Sequence, residues 1–139
     1  MMIIASLLAI GSFAVANAGS MAGPNISANA NWMPGPNMSI ARVCLAAAAV
    51  DGSLYASGGY RFIGSVEAFD PSVTKWSARA PMIQHRDLHG MAALGGKLVV
   101  VGGTDGGSTL ASLLSSMEVF DPASGMWSKG PSMFTGLLT

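Results

Sequence analysis

From Leu45 onward, short apolar runs alternate with breaks centred on glycine, aspartate and proline. An alanine-rich run over residues 45–50 reaches Asp51-Gly52, and a second over 91–94 reaches Gly95-Gly96. Both dipeptides suit a two-residue hairpin turn, whose two central residues need positive φ. Second strands are expected over 54–56 and 98–101, each ending at a double glycine, Gly58-Gly59 and Gly102-Gly103. There the missing Cβ allows a backbone geometry or a close approach that other residues block. Third strands over 66–69 and 117–120 run into Asp70-Pro71 and Asp121-Pro122, where proline is pre-set for the second turn position. Short fourth strands over 75–78 and 126–129 carry Trp76 and Trp127.

These elements fall into an internal repeat. Trp32, Trp76 and Trp127 each precede a methionine by six residues (Met38, Met82, Met133), with a proline between them: Pro36, Pro81 and Pro131. Arg42 stands 16 residues before Gly58, as Arg86 does before Gly102. Each Glu-x-Phe-Asp-Pro segment, beginning at Glu67 and Glu118, lies the same distance before its tryptophan. The tryptophans are 44 and 51 residues apart, and the extra length falls between the double glycine and the glutamate. Four short strands at this period predict an all-β chain with two four-stranded propeller blades and part of a third. The first strand of each blade is expected to line the crowded central axis, which Ala46 to Ala49 suit. The tryptophans are expected to wedge between blades.

The expected organisation is an end of a preceding blade over 32–38, one repeat over 39–82, a second over 83–133 and the start of another over 134–139. Residues 19–31, rich in Gly, Ser, Asn and Ala, read as a linker. Residues 3–16 are almost unbroken apolar or small, and Ala16-Asn17-Ala18 follows. That is the pattern of a signal peptide over 1–18, although the first basic residue is Arg42; with it the protein is expected to be secreted or exported, and otherwise cytoplasmic. The apolar stretch is short for a membrane span, so no membrane association is expected after cleavage.

Charge narrows the function classes. Seven basic residues balance seven acidic ones, and charged residues make up only 10% of the chain. No Lys/Arg cluster supplies the basic patch that nucleic-acid binding requires. Cys44 is the single cysteine, which excludes an intrachain disulfide and a cysteine-rich metal site; it reads as a small buried apolar residue.

The ordered set of Arg, double Gly, Glu-x-Phe-Asp-Pro, Trp and Pro-Met resembles the kelch repeat over about residues 32–133. Residues 86–133 look especially like a repeat of the kelch-like adaptors, whose propellers bind a partner's degron or short peptide while an upstream BTB domain recruits a cullin ubiquitin ligase. The chain contains no BTB domain, and it has two blades where such propellers close with about five to seven. Two blades alone leave both outer faces uncovered, so the resemblance implies further blades or self-association to complete a propeller.

Strands alternate in direction, so the loops over 37–41, 60–64, 83–87 and 104–116 emerge on one face. Candidate contacts there for a protein or short peptide are Tyr60, Arg61, Arg42, His85, Arg86 and Asp105. Arg42 and Arg86 are repeated, which suits either a structural tie or a ring of arginines for an acidic peptide. The residues assigned to the repeat framework are Gly58, Gly59, Glu67, Asp70, Trp76, Gly102, Gly103, Glu118, Asp121 and Trp127. Leu110, Leu113, Leu114 and Met117 have helical spacing, which suits one short helical turn with an apolar face used in binding; the preferred reading is a cluster folded back onto its own blade. His85, Asp87 and His89 alternate and would share one face of a strand, a set able to ligate zinc; the preferred reading is two ordinary histidines and a capping aspartate. No nucleophile elbow, P-loop or paired-carboxylate arrangement appears, so no catalytic residue, metal or cofactor is assigned. The rival reading is a secreted kelch-fold enzyme resembling galactose oxidase or a sialic acid mutarotase. A copper oxidase of that kind would draw on Cys44, Tyr55 and Tyr60.

Overall fold

The computed structural model describes residues 34–60, 64–106 and 112–134. The possible signal peptide over 1–18, the linker over 19–31, Trp32, Arg61 and Leu110 lie outside the described residues. Eight strands form two antiparallel four-stranded sheets, ordered β1-β2-β3-β4 and β5-β6-β7-β8. The first sheet contains β1 (Ala46–Val50), β2 (Ser53–Ser57), β3 (Val66–Asp70) and β4 (Lys75–Arg79). The second contains β5 (Gly90–Leu94), β6 (Lys97–Val101), β7 (Met117–Asp121) and β8 (Met126–Gly130). Every strand expected from the sequence is present, within a residue or two of its expected ends. Asp51 and Gly52 both have positive φ (49° and 75°), as do Gly95 and Gly96 (57° and 75°), as a two-residue hairpin of this type demands.

The two sheets stack as consecutive blades, with β1 beside β5. The register pairs Tyr55 with Ala68 and Ser57 with Val66, which puts these side chains on one face of the first blade. Leu98 opposite Phe120 and Val100 opposite Glu118 share the facing side of the second. The core lies between them: Ala48, Val50, Tyr55, Val66, Ala68 and Met82 meet Leu98, Val100 and Phe120, with Met91 and Trp127 packed at its edge. Small residues at Ala48 and Ala68 make room for Phe120, which is 1% exposed and lies 5.7 Å from the Tyr55 ring. Burying one such aromatic stabilises the stack by about 2–3 kcal/mol.

Trp127 sits in the seam as expected. It packs on Phe120 at 5.1 Å, and its Nε1 donates to the Ala80 carbonyl of the first blade at 2.8 Å. Trp76 repeats this on the outer side of the first blade, against Phe69 at 5.4 Å and with Nε1 donating to the Pro36 carbonyl at 3.1 Å.

One expectation is corrected. Cys44 is exposed: it takes a left-handed backbone conformation (φ 57°), and its carbonyl accepts from the Leu88 N–H at 3.2 Å. Ser112 lies in a 3₁₀ turn, Leu113 bridges Thr104 and Met117 opens β7, while Leu110 lies outside the described residues. Leu114 is buried, as expected of a cluster folded back onto its own blade.

Candidate functional site

The two repeated arginines are not on the surface. Both side chains are 0% exposed, which removes Arg42 and Arg86 from the candidate contacts. Arg42 Nη1 donates to the carbonyls of Gly58 (2.8 Å) and Ser65 (2.9 Å), and Nη2 to Ser65 Oγ (2.9 Å) and Glu67 Oε1 (3.0 Å). Arg86 repeats the set with Gly102 (2.8 Å), the carbonyl and Oγ of Ser116 (3.2 and 3.0 Å) and Glu118 Oε1 (2.7 Å). Each guanidinium therefore ties the end of its second strand to the start of its third. The planar fork suits this, because one side chain reaches two carbonyls, a hydroxyl and a carboxylate at once.

Each glutamate then receives the incoming chain. Glu67 Oε2 accepts from Ser39 N (2.9 Å) and Oγ (2.7 Å), while Glu118 accepts from Ile83 N (2.7 Å) and Gln84 N (3.0 Å). Burial pushes the Glu67 carboxyl up, but the bonds from Ser39 and Arg42 outweigh it and hold the group below its ordinary range. Ser65 and Ser116 were absent from the candidates although both precede the repeat glutamate by two residues, which was a readable signal.

The double glycines allow close approach of neighbouring segments. A Cβ at Gly58 would run into the Arg86 carbonyl and the His89 ring, and one at Gly103 into the Asp87 carbonyl. Through this gap His89 reaches across the seam, its Nε2 lying 2.9 Å from Ser57 Oγ. Burial, together with the Arg86 charge, lowers the His89 pKa to about 4. Burial pushes the Asp87 carboxyl up. His89 Nδ1 and Asp87 Oδ1 are both buried with no hydrogen-bond partner. His85 is exposed while Asp87 and His89 are buried, so the alternating set does not share a face. Among the described residues, no three His, Cys, Asp or Glu side chains converge as metal ligands would. Tyr55 is buried in the seam whereas Cys44 lies exposed at the loop end.

What the loop end offers instead is mostly apolar. The Tyr60 N–H donates to the Val43 carbonyl (2.8 Å), and Leu88 bonds Cys44. These backbone bonds gather Val43, Tyr60 and Leu88 on one rim, where they are 60%, 59% and 62% exposed. Val43 and Leu88 were not singled out from the sequence; each lies one or two residues after a repeat arginine. Asp105 is exposed further along the same end, its N–H donating to the Ser112 carbonyl at 3.1 Å. His85 is exposed with its ring against Gly64. Ile83 and Gln84 also border an open cavity of about 390 Å³ beside Met117 and Lys129.

The Kelch motif model matches residues 41–83 and 85–134. An F-box/kelch-repeat protein of Arabidopsis thaliana is 42% identical over 88 residues, covering 61% of this chain and 18% of that protein. The influenza virus NS1A-binding protein homolog of Mus musculus is 43% identical over 74 residues, 51% of this chain and 12% of the relative. Human kelch repeat and BTB domain-containing protein 12 is 28% identical over 113 residues, 69% of this chain and 18% of the relative. The chain thus spans less than a fifth of the length of each of these relatives. Among solved structures, that of YjhT aligns with a TM-score of 0.54 at 20% identity, over 67% of this chain and 39% of the other, a likeness of fold.

Proposed function

The chain belongs to the kelch-repeat family, and from that premise we propose that it is a non-catalytic, protein- or peptide-binding part of a β-propeller whose partner docks on the rim of Val43, Tyr60 and Leu88. The observation that carries this is the pairing of three exposed apolar or aromatic side chains with two arginines turned wholly inward. A tyrosine flanked by aliphatic groups suits a hot spot that takes an apolar or aromatic anchor. An acidic peptide would need exposed guanidinium groups, and those of Arg42 and Arg86 are sealed inside the blades. The partner is therefore a short segment carrying apolar anchors. Relatives named for an F-box, for a BTB domain or for binding another protein support a protein partner. Kinship with the substrate-recognition propellers of cullin-RING adaptors is proposed on the likeness of the repeats alone.

The test is display panning of peptides against the immobilised full chain, followed by titration of an enriched peptide. Tyr60→Ala and Leu88→Asn should each weaken binding about tenfold, or about 1.4 kcal/mol. Asparagine tolerates the left-handed backbone at position 88 (φ 50°), so the second variant spares the fold. Val73→Ser, at the opposite end of the blades, should change nothing. Affinity should vary less than about twofold between low and high salt, since screening acts on exposed charges. A peptide indifferent to both rim variants, or one lost steeply with salt, refutes the assignment.

A further inference from the structure

The open cavity of about 390 Å³ takes its walls from the connection between the blades and from the second blade. Ile83 and Gln84, between β4 and β5, form one side. The start of β7 and the end of β8 form the other. Glu118 pairs with Lys129 as Phe120 pairs with Trp127, so Glu118 and Lys129 stand on the face that Phe120 and Trp127 turn to the seam. Past them β8 ends at Gly130, where the Met117 side chain fills the place of a Cβ, and Ser132 completes the wall.

The hydrogen bonds decide which atoms remain for a ligand. A guanidinium only donates, so Ser116 Oγ accepts from Arg86 Nη2 (3.0 Å) and gives its own proton to Gln84 Oε1 (2.8 Å). That fixes the amide of Gln84: its oxygen is held, and its NH₂ group is left as a donor with no partner among the described residues. Glu118 is already neutralised by Arg86 and accepts from the Ile83 and Gln84 N–H groups. Lys129 is exposed and makes no ion pair among the described residues, so it is the uncompensated charge of the cavity. None of these donors belongs to the repeat. At the equivalent positions of the first blade stand Ile40 for Gln84, Ala78 for Lys129 and Pro81 for Ser132. A blade folds without them, so their convergence on one cavity serves recognition and not the framework.

We propose that this cavity binds a small organic acid through its carboxylate. Lys129 pairs with the charge, the Gln84 amide and the Ser132 hydroxyl donate to the carboxylate oxygens, and an apolar body lies over Ile83 and Met117. One ammonium with neutral donors suits a single negative charge, whereas a phosphate group brings about two. The volume lies within the range of about 300–1,000 Å³ common to small-molecule pockets. The inference stands apart from the partner-binding rim, because none of Val43, Tyr60 and Leu88 lines the cavity.

The experiment titrates the full chain with phenylacetate at neutral pH and follows nitrogen–proton NMR signals. The expected result is saturable shifts at the Gln84 side-chain amide and at the backbone N–H groups of Gly130 and Ser132, with a millimolar Kd. Phenylacetamide has the same shape without the charge and should bind at least about fivefold more weakly. Lys129→Ala installs the residue that the first blade carries there, so the fold is spared, and it should weaken phenylacetate about fivefold. Gln84→Glu keeps an oxygen for Ser116 but turns the free donor into an anionic oxygen, and it should abolish binding. Tyr60→Ala should leave the titration unchanged, which separates this site from the rim. The proposal is overturned by the absence of saturable shifts at these three groups. It is equally overturned by phenylacetamide binding as well as the acid, by Lys129→Ala titrating like wild type, or by Tyr60→Ala losing the ligand while its circular dichroism stays that of wild type.

Discussion

Replacing Arg86 with methionine tests whether the buried arginine holds the blade together. Its guanidinium makes four hydrogen bonds, of 2.7 to 3.2 Å, and is 0% exposed. Bonds to a charged group are worth about 1.5–3 kcal/mol each, but desolvation of the ion offsets much of that sum. Removing one partner of a buried pair costs about 3–5 kcal/mol, because the other charge is left behind. Here Glu118 keeps the Ile83 and Gln84 N–H groups, and methionine replaces much of the aliphatic stem. The lower end of that range, about 3 kcal/mol, is therefore expected. Glu118→Gln alone should cost about 2–4 kcal/mol, since an amide cannot accept at both former oxygens. The double variant should lose clearly less than the sum of the single losses, with a coupling of at least about 1 kcal/mol. Urea unfolding followed by circular dichroism and tryptophan fluorescence reads all three. The exposed pair Lys97–Asp121 is the contrast, and Lys97→Met should leave the midpoint almost unmoved. Additive single losses, or an Arg86→Met loss below about 1 kcal/mol, would refute the view of the arginine as a clamp.

Two further outcomes follow from the seam. His89 has a folded pKa of about 4 against about 6.5 in an unfolded chain, so the unfolded state binds the proton first. Its contribution is complete above pH 6.5 and is lost as pH falls toward 4, up to about 3 kcal/mol in all. Asp87, pushed up by burial, works in the opposite sense from pH 3.8 upward. His89→Gln isolates the histidine and should flatten the loss of urea midpoint between pH 6.5 and 5; an unchanged slope would assign it elsewhere. Gly58→Ala should destabilise by about 2–4 kcal/mol, because the added Cβ meets both the Arg86 carbonyl and the His89 ring at a backbone φ of +64°. A midpoint within error of wild type would show that the seam is looser than this packing implies.

The repeat framework could be read from the chain because it is written twice. The two hairpin dipeptides, the Glu-x-Phe-Asp-Pro segments and the tryptophans each fixed a strand or a turn in both copies. The partners of the arginines could not be read. A guanidinium that binds the carbonyls of residues 16 and 23 positions away leaves no mark in residue type, so a clamp and an exposed ring fitted the same spacing. The Ser57–His89 contact was hidden for a different reason. The second blade has Val101 where the first has Ser57, and the first has Leu45 where the second has His89, so the pair occurs once and no repeat announces it. Cys44 misled through its usual preference for burial. Its burial is overridden by a backbone bond to Leu88 that turns both side chains outward at equivalent positions of the two repeats.

Placement of charge separates what stabilises these blades from what a partner can meet. Of the six cations among the described residues, Arg42 and Arg86 are sealed inside, while Lys75 and Lys97 stand beside the hairpin turns at the end opposite the rim. Arg79 and Lys129 lie on the fourth strands, away from the central strands β1 and β5. Among the described residues, then, the rim of Val43, Tyr60 and Leu88 has no exposed cation of its own. Among these residues, selectivity comes from shape and from the tyrosine hydroxyl. The strands behind the rim are fixed by buried charges that a partner does not touch, so the exposed positions are free to vary without loss of the fold. A change of partner would therefore be expected to run through residues 43, 60 and 88, and a change of arginine through stability alone.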